Sequence, residues 1–176
     1  MKQSGDGNRT TKAGTMMQEI PRHTVLVVDD DLMSLEMLLW ILAEEHEVIT
    51  AASAAEALNL LQHSLPDLIL LDIVMPGMDG YELFEQIRQL PGGDEIPVLF
   101  LTGVSDQECE SRGLEMGAAD YITKPYNAHL VRLRVQNHLL LKEQRSHVNR
   151  RLEAEQSLLL ERAHLRTLIN TMPDLV

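Results

Sequence analysis

Apolar residues gather along this chain in short runs, each stopping at a polar group. Val25-Leu26-Val27-Val28 stops at Asp29-Asp30-Asp31, and Leu68-Ile69-Leu70-Leu71 stops at Asp72. Val98-Leu99-Phe100-Leu101 stops at Thr102, and the mixed run Asp120-Tyr121-Ile122-Thr123 stops at Lys124-Pro125. Runs this short and this continuous suit strands buried on both faces, as in a parallel sheet. The spacing predicts strands over 24–29, 47–51, 67–72, 96–102 and 120–123. Helical periodicity fills the gaps, near 32–45 (Leu32, Leu35, Leu38, Leu39, Leu42), 53–63, 79–90 and 105–116, and again from Asn127. The alternation reads as an α/β (βα)5 domain, with right-handed crossovers placing helices on both faces of a doubly wound parallel sheet. The expected strand order is 2-1-3-4-5, with the ligand crevice between the first and third strands.

The last helix does not stop where a compact domain needs it to. From Asn127 to Thr171 there is neither Gly nor Pro, and a helix of that length runs roughly 65 Å. Its first third offers Leu130, Leu133, Leu139 and Leu140 for packing on the sheet. Further on the apolar positions thin to a loose seven-residue spacing, Leu141, Val148, Leu152, Leu159 and Ile169, interrupted by Glu155 and Arg162. A lone helix so polar is marginal in water, and a two-stranded coiled coil would bury the seam. The expected organisation is a disordered N-terminal segment over 1–23, a folded domain over 24–141, a helical or coiled-coil linker over 142–170, and the onset of a further domain over 171–176.

Composition narrows the class. Of 176 residues 44% are hydrophobic but only 3% aromatic, so the core is aliphatic, and the net charge of −12 argues against nonspecific binding to nucleic acid or an anionic membrane. With one cysteine, Cys109, no intrachain disulfide can form, which fits a reducing compartment. No apolar run approaches the roughly 20 residues of a membrane span. The expected location is the cytoplasm, with no membrane and no direct nucleic-acid partner.

The parallel sheet brings Asp29, Asp30, Asp72, Thr102 and Lys124 to one edge, although they are far apart in sequence. These groups suit phosphoryl transfer to a carboxylate, in which charge on the phosphoryl oxygens must be neutralised and the reacting groups held in line. Asp72 would be the nucleophile. A hard divalent cation would be ligated directly by Asp30 and Asp72, with Asp29 acting through water. Without a cation, three acids in one cleft repel one another. Lys124 and the Thr102 hydroxyl would meet the phosphoryl oxygens.

These residues, with Met75-Pro76-Gly77-Met78-Asp79-Gly80 after Asp72 and Tyr121 before Lys124-Pro125, make residues 24–141 resemble the receiver domain of two-component response regulators, the flavodoxin-like chemotaxis-receiver type. The resemblance implies that Asp72 accepts phosphoryl from a histidine kinase or phosphotransfer protein. It implies that Asp30, Asp72 and the Val74 carbonyl bind Mg²⁺. Thr102 moves toward the phosphoryl group and Tyr121 swings inward behind it, remodelling the face of the fourth helix, fifth strand and fifth helix (the 4-5-5 face). The Lys124–Pro125 bond is often cis in such domains. Val74 and Val104 occupy the positions that tune phospho-state lifetime, and neither orients a water, which implies slow autodephosphorylation. A homodimer through the 4-5-5 face, the linker or both is expected, and no enzymatic activity beyond self-phosphorylation and its reversal. Residues Leu165 to Val176 resemble the opening of a PAS sensory domain, and Val135 to Gln144 is similar to linkers preceding cyclic-di-GMP enzymes and histidine-kinase modules. An aspartyl-phosphate phosphatase of the haloacid-dehalogenase type would need an acid where Val74 stands. A nucleotide- or flavin-binding domain would need glycine in the turn after the first strand. A phosphorylation-independent docking module is the alternative to a phosphoacceptor.

Overall fold

The computed structural model describes residues 22–103 and 113–171. The expected disorder of the N-terminus, Val104, Cys109, most of the helix expected over 105–116, and residues 172–176 lie outside the described residues. The first strand, β1 (Thr24–Val28), leads to α1 (Leu32–Leu42) and β2 (Glu47–Ala51). Next come α2 (Ala54–His63), β3 (Leu68–Asp72), α3 (Gly80–Gln89) and a single 3₁₀ turn, Gly93–Glu95. β4 (Val98–Thr102), β5 (Asp120–Thr123) and a C-terminal helix, Ala128–Thr171, complete the order. All strand pairs are parallel and the sheet runs β2-β1-β3-β4-β5, a flavodoxin-like sheet in the order the sequence predicts.

Polar residues at the helix starts set the boundaries. Asp31 caps α1, accepting from the N–H groups of Met33 and Ser34. Ser53 caps α2, and Asp79 with Glu82 forms a reciprocal capping box on α3. Each satisfies N–H groups that the first helical turn leaves unpaired.

Alternation along the strands divides the core into two layers. Leu26, Val28, Ile69, Leu71 and Phe100 face α2 and α3 through Ala57, Leu61, Phe84 and Ile87. Val25, Val27, Leu68, Leu70 and Leu99 face α1 and the C-terminal helix. Two details depart from the sequence reading. The C-terminal helix docks with Val131, Val135 and Leu139, at i, i+4 and i+8, whereas Leu130, Leu133 and Leu140 are exposed. In α1 the buried stripe is Leu35, Leu38, Ile41 and Leu42, and Leu32 and Leu39 turn outward. Counting leucines placed Leu35, Leu38, Leu42 and Leu139 correctly and missed Ile41, Val131 and Val135, β-branched residues that pack at the right angle.

At the lower edge of the sheet a polar clasp marks where the helix leaves the domain. Asp67 accepts the Thr24 N–H at 2.9 Å and the Lys142 ammonium at 3.4 Å. Lys142 also donates to the Asp67 carbonyl at 3.1 Å. His23 bridges Asp67 and Glu143 at 3.5 and 3.1 Å. Past this clasp Val148, Leu152 and Leu159 are exposed.

Candidate functional site

At the opposite, C-terminal edge of the strands the acids converge. Asp29 follows β1 and is fully buried, Asp30 follows it and is exposed, and Asp72 ends β3 at 5% exposure. Carboxylate oxygens of all three lie within 4.8 Å of one another. Lys124, immediately after β5, answers them: its Nζ is 2.8 Å from Asp29 Oδ2 and 2.9 Å from Asp72 Oδ1. The backbone that delivers it is fixed, since the Lys124 N–H donates to the Thr102 carbonyl at 2.7 Å. The Lys124–Pro125 bond is cis.

The electrostatics follow from this crowding. Burial pushes the Asp72 carboxyl up to about 6; the Lys124 hydrogen bond opposes that shift, and Asp29 and Asp30 add to it. Burial would lower Lys124, but its hydrogen bonds to Asp29 and Asp72 outweigh that and hold the ammonium above its usual range. One lysine cannot neutralise three acids. This set of oxygen donors, with two acids buried and one open to solvent, fits a hard divalent cation. Among the described residues the buried Thr102 Oγ1 finds no hydrogen-bond partner, which leaves it able to meet a ligand atom.

The turn after Asp72 is shaped to leave the site open. Gly80 N–H donates to the Ile73 carbonyl at 2.8 Å, and a Cβ at Gly80 would lie 2.2 Å from the Asp72 carbonyl oxygen. Only glycine lets α3 begin this close to the Asp72 backbone. Val74 stands 72% exposed beside the opening. Tyr121 is half-buried on β5, next to Phe100 in register. Its ring lies under the Arg134 guanidinium, 5.4 Å from centroid to Cζ, and its carbonyl accepts from Arg134 at 2.9 Å. Asp120 anchors the same arginine and, at 3.2 Å, His138.

Two elements of the site escaped the sequence reading. Tyr126 reaches Asp29 Oδ2 through its hydroxyl at 3.4 Å; its position directly after Lys124-Pro125 was the available signal. The outer face of α1 carries Leu32, Met33, Met37 and Trp40 at 47% to 75% exposure. A helix with apolar residues on both faces signals this in the sequence. A cleft of about 640 Å³ between the lower edge of the sheet and the C-terminal helix, lined in part by Arg88, His138 and Arg145, does not include the acid cluster.

Comparison with known proteins agrees with the geometry. The sequence matches the family described as "Response regulator receiver domain" over residues 25–136. A Vibrio cholerae protein named "Probable cyclic di-GMP phosphodiesterase" is 42% identical over 123 residues, covering 70% of this chain and 28% of that protein. The "Cyclic di-GMP phosphodiesterase response regulator RpfG" of Xanthomonas campestris is 35% identical over 139 residues, covering 77% of this chain and 37% of its own. The chain thus spans well under half the length of these two relatives. Among solved structures, a CheY-like response regulator receiver domain protein from Methanospirillum hungatei superposes with a TM-score of 0.65 at 32% identity, over 71% of this chain and 99% of that one.

Proposed function

Because this chain belongs to the response regulator receiver domain family, we propose that it is a phosphoacceptor whose nucleophile is Asp72. The observation that carries the reading is the convergence of Asp29, Asp30 and Asp72 on one another, with the Lys124 ammonium bridging the two buried acids. In the reaction, phosphorus bonds to an Asp72 carboxylate oxygen as the P–N bond of a phosphohistidine donor breaks. The electron pair leaves with the imidazole nitrogen, which takes up a proton. Lys124 and Thr102 are placed to donate to the phosphoryl oxygens. Asp30, Asp72 and the Val74 carbonyl would hold Mg²⁺, which when bound neutralises charge on those oxygens. Asp29 is left to position Lys124.

The donor protein is proposed to dock on the apolar outer face of α1, which begins one residue after Asp31 and so borders the mouth of the site. Output is proposed to run through Thr102 and Tyr121 to the C-terminal helix, with 24–141 as the receiver and 142–170 as the linker. Support comes from the position of Tyr121 directly beneath Arg134 of that helix. The seam Leu141, Val148, Leu152 and Leu159 spans 19 residues, 18 steps or about five turns, and so lies along one stripe of a straight helix. We assign that stripe to a second copy of the chain. The class of output is proposed from the relatives named above: turnover of cyclic di-GMP, carried by a module other than the receiver. With Val74 offering no base to water, the phospho-state is expected to outlast about a minute.

The test is intact mass after incubation with acetyl phosphate and Mg²⁺, with Asp72→Ala in parallel. Gain of one phosphoryl group that the variant lacks supports the reading. Absence of gain in the parent chain, with Mg²⁺ shown to bind, would point instead to a docking module.

A further inference from the structure

A fully buried carboxylate must be satisfied from within the protein, and the three contacts to Asp29 are unequal. Its Oδ1 accepts the Asp31 N–H at 2.9 Å. Its Oδ2 accepts the Lys124 ammonium at 2.8 Å and faces the Tyr126 hydroxyl at 3.4 Å. The lysine contact is of normal length, and the phenol stands beyond the usual O–H···O separation of about 2.8 Å. One tripeptide, Lys124-Pro125-Tyr126, therefore aims two donors at a single oxygen, one engaged and the other short of full engagement.

The reaction argued above changes the demands on the first donor. New negative charge at Asp72 draws Lys124 toward the phosphoryl oxygens, and each step it takes leaves Asp29 Oδ2 less satisfied. We propose that Tyr126 is a positioning residue that takes over Asp29 Oδ2 as Lys124 turns to the phosphoryl group, and that its movement carries the state of the site into the C-terminal helix. This rests on the phosphoacceptor reading of Asp72.

The surroundings favour the exchange. A phenol, with an ordinary pKa of about 10, keeps its proton at neutral pH and so can donate. The ring packs against the core layer that holds Val131, Val135 and Leu139. Tyr126 stands two residues before Ala128, where the helix begins. Shortening the contact to a normal length moves the phenol oxygen by about half an ångström, in a residue packed against the core layer to which the helix contributes.

The experiment uses the whole chain and Tyr126→Phe, which removes the hydroxyl and keeps the ring. Calorimetric titrations with Mg²⁺ alone, and with Mg²⁺ plus beryllium fluoride as a phosphoryl stand-in, are compared beside thermal unfolding of the ligand-free proteins. Expected are a melting temperature within about 2 °C of the parent, Mg²⁺ affinity within about twofold, and beryllium fluoride affinity weakened about fivefold to tenfold. Fluorine NMR of the 3-fluorotyrosine-labelled parent, assigned by the resonance missing in the variant, should show the Tyr126 signal moving on addition of beryllium fluoride. Equal beryllium fluoride affinities, or a Tyr126 signal that stays in place while the parent binds, would overturn the proposal. A uniform loss of stability with unchanged affinity would do the same by leaving Tyr126 merely structural. A parent chain that binds Mg²⁺ but no beryllium fluoride would overturn the phosphoacceptor reading itself, and with it this inference.

Discussion

The C-terminal helix is one continuous element with two unlike halves. Its first turns bury Val131, Val135 and Leu139 against the sheet at 0% to 3% exposure, while Val148, Leu152 and Leu159 beyond the Lys142 clasp stand 51% to 59% exposed. Helical geometry is the same throughout, so the difference lies wholly in what lies opposite. The first half takes its stability from tertiary packing. The second has only propensity and i,i+4 side-chain pairs, which support a helix weakly. A domain that continues its last helix past its own core exports the core's orientation as the direction of a rod.

The contrast can be broken most sharply by placing a charge in each half. Val135→Asp puts an unpaired carboxylate into the buried layer and should cost about 4 kcal/mol or more, read as a loss of cooperative urea unfolding or a large drop in its midpoint. Leu152→Asp, on the rod, should leave that midpoint within the error of the measurement; an equal drop would mean that the two halves share one core.

The domain against which the helix packs also bears an electrostatic cost, at the C-terminal edge of its sheet, and pH should expose it. In the folded protein without Mg²⁺, Asp72 keeps its proton to about 6, against 3.8 for the ordinary carboxyl. The folded state therefore binds the proton more tightly than the unfolded chain. Stability falls as pH rises from about 4 to 6 and stays lowered above that, by about 3 kcal/mol for a shift of this size. The difference between parent and Asp72→Asn in urea unfolding, taken at pH 4 and pH 7, isolates this contribution; a difference that does not change with pH would remove it. The same proton competes with Mg²⁺, so Mg²⁺ affinity should weaken below pH 6.

The smallest effect belongs to the rod. Leu152→Ala with Leu159→Ala should raise the dimer dissociation constant by about tenfold or more in sedimentation, without shifting unfolding of the packed domain. A parent chain that is monomeric at all accessible concentrations would end the coiled-coil reading.

Much of this architecture was legible because a parallel sheet writes its strands as uninterrupted apolar runs. Asp29, Asp72, Thr102 and Lys124 could be placed on one edge because each ends or follows such a run. What escaped was information about angle. Leucine content pointed to Leu130, Leu133, Leu139 and Leu140 as the docking face; Leu139 is buried, but Val131 and Val135 take the rest of the face, because the start of the helix is set by the turn after Pro125 and not by composition. Tyr126 was passed over as a site residue for a related reason, although it follows Lys124-Pro125 directly. An aromatic after a strand usually means packing, and only coordinates bring its hydroxyl to an acid 97 residues earlier.

Trp40 is the chain's single tryptophan, and it stands 75% exposed on the outer face of α1. Its indole already reports a watery environment in the folded state, so unfolding the core should change its emission little. A partner that covers α1 would move the same ring into an apolar setting and shift its emission to shorter wavelength. The fold has thus placed its one strong fluorophore where denaturation is nearly silent and encounter is bright.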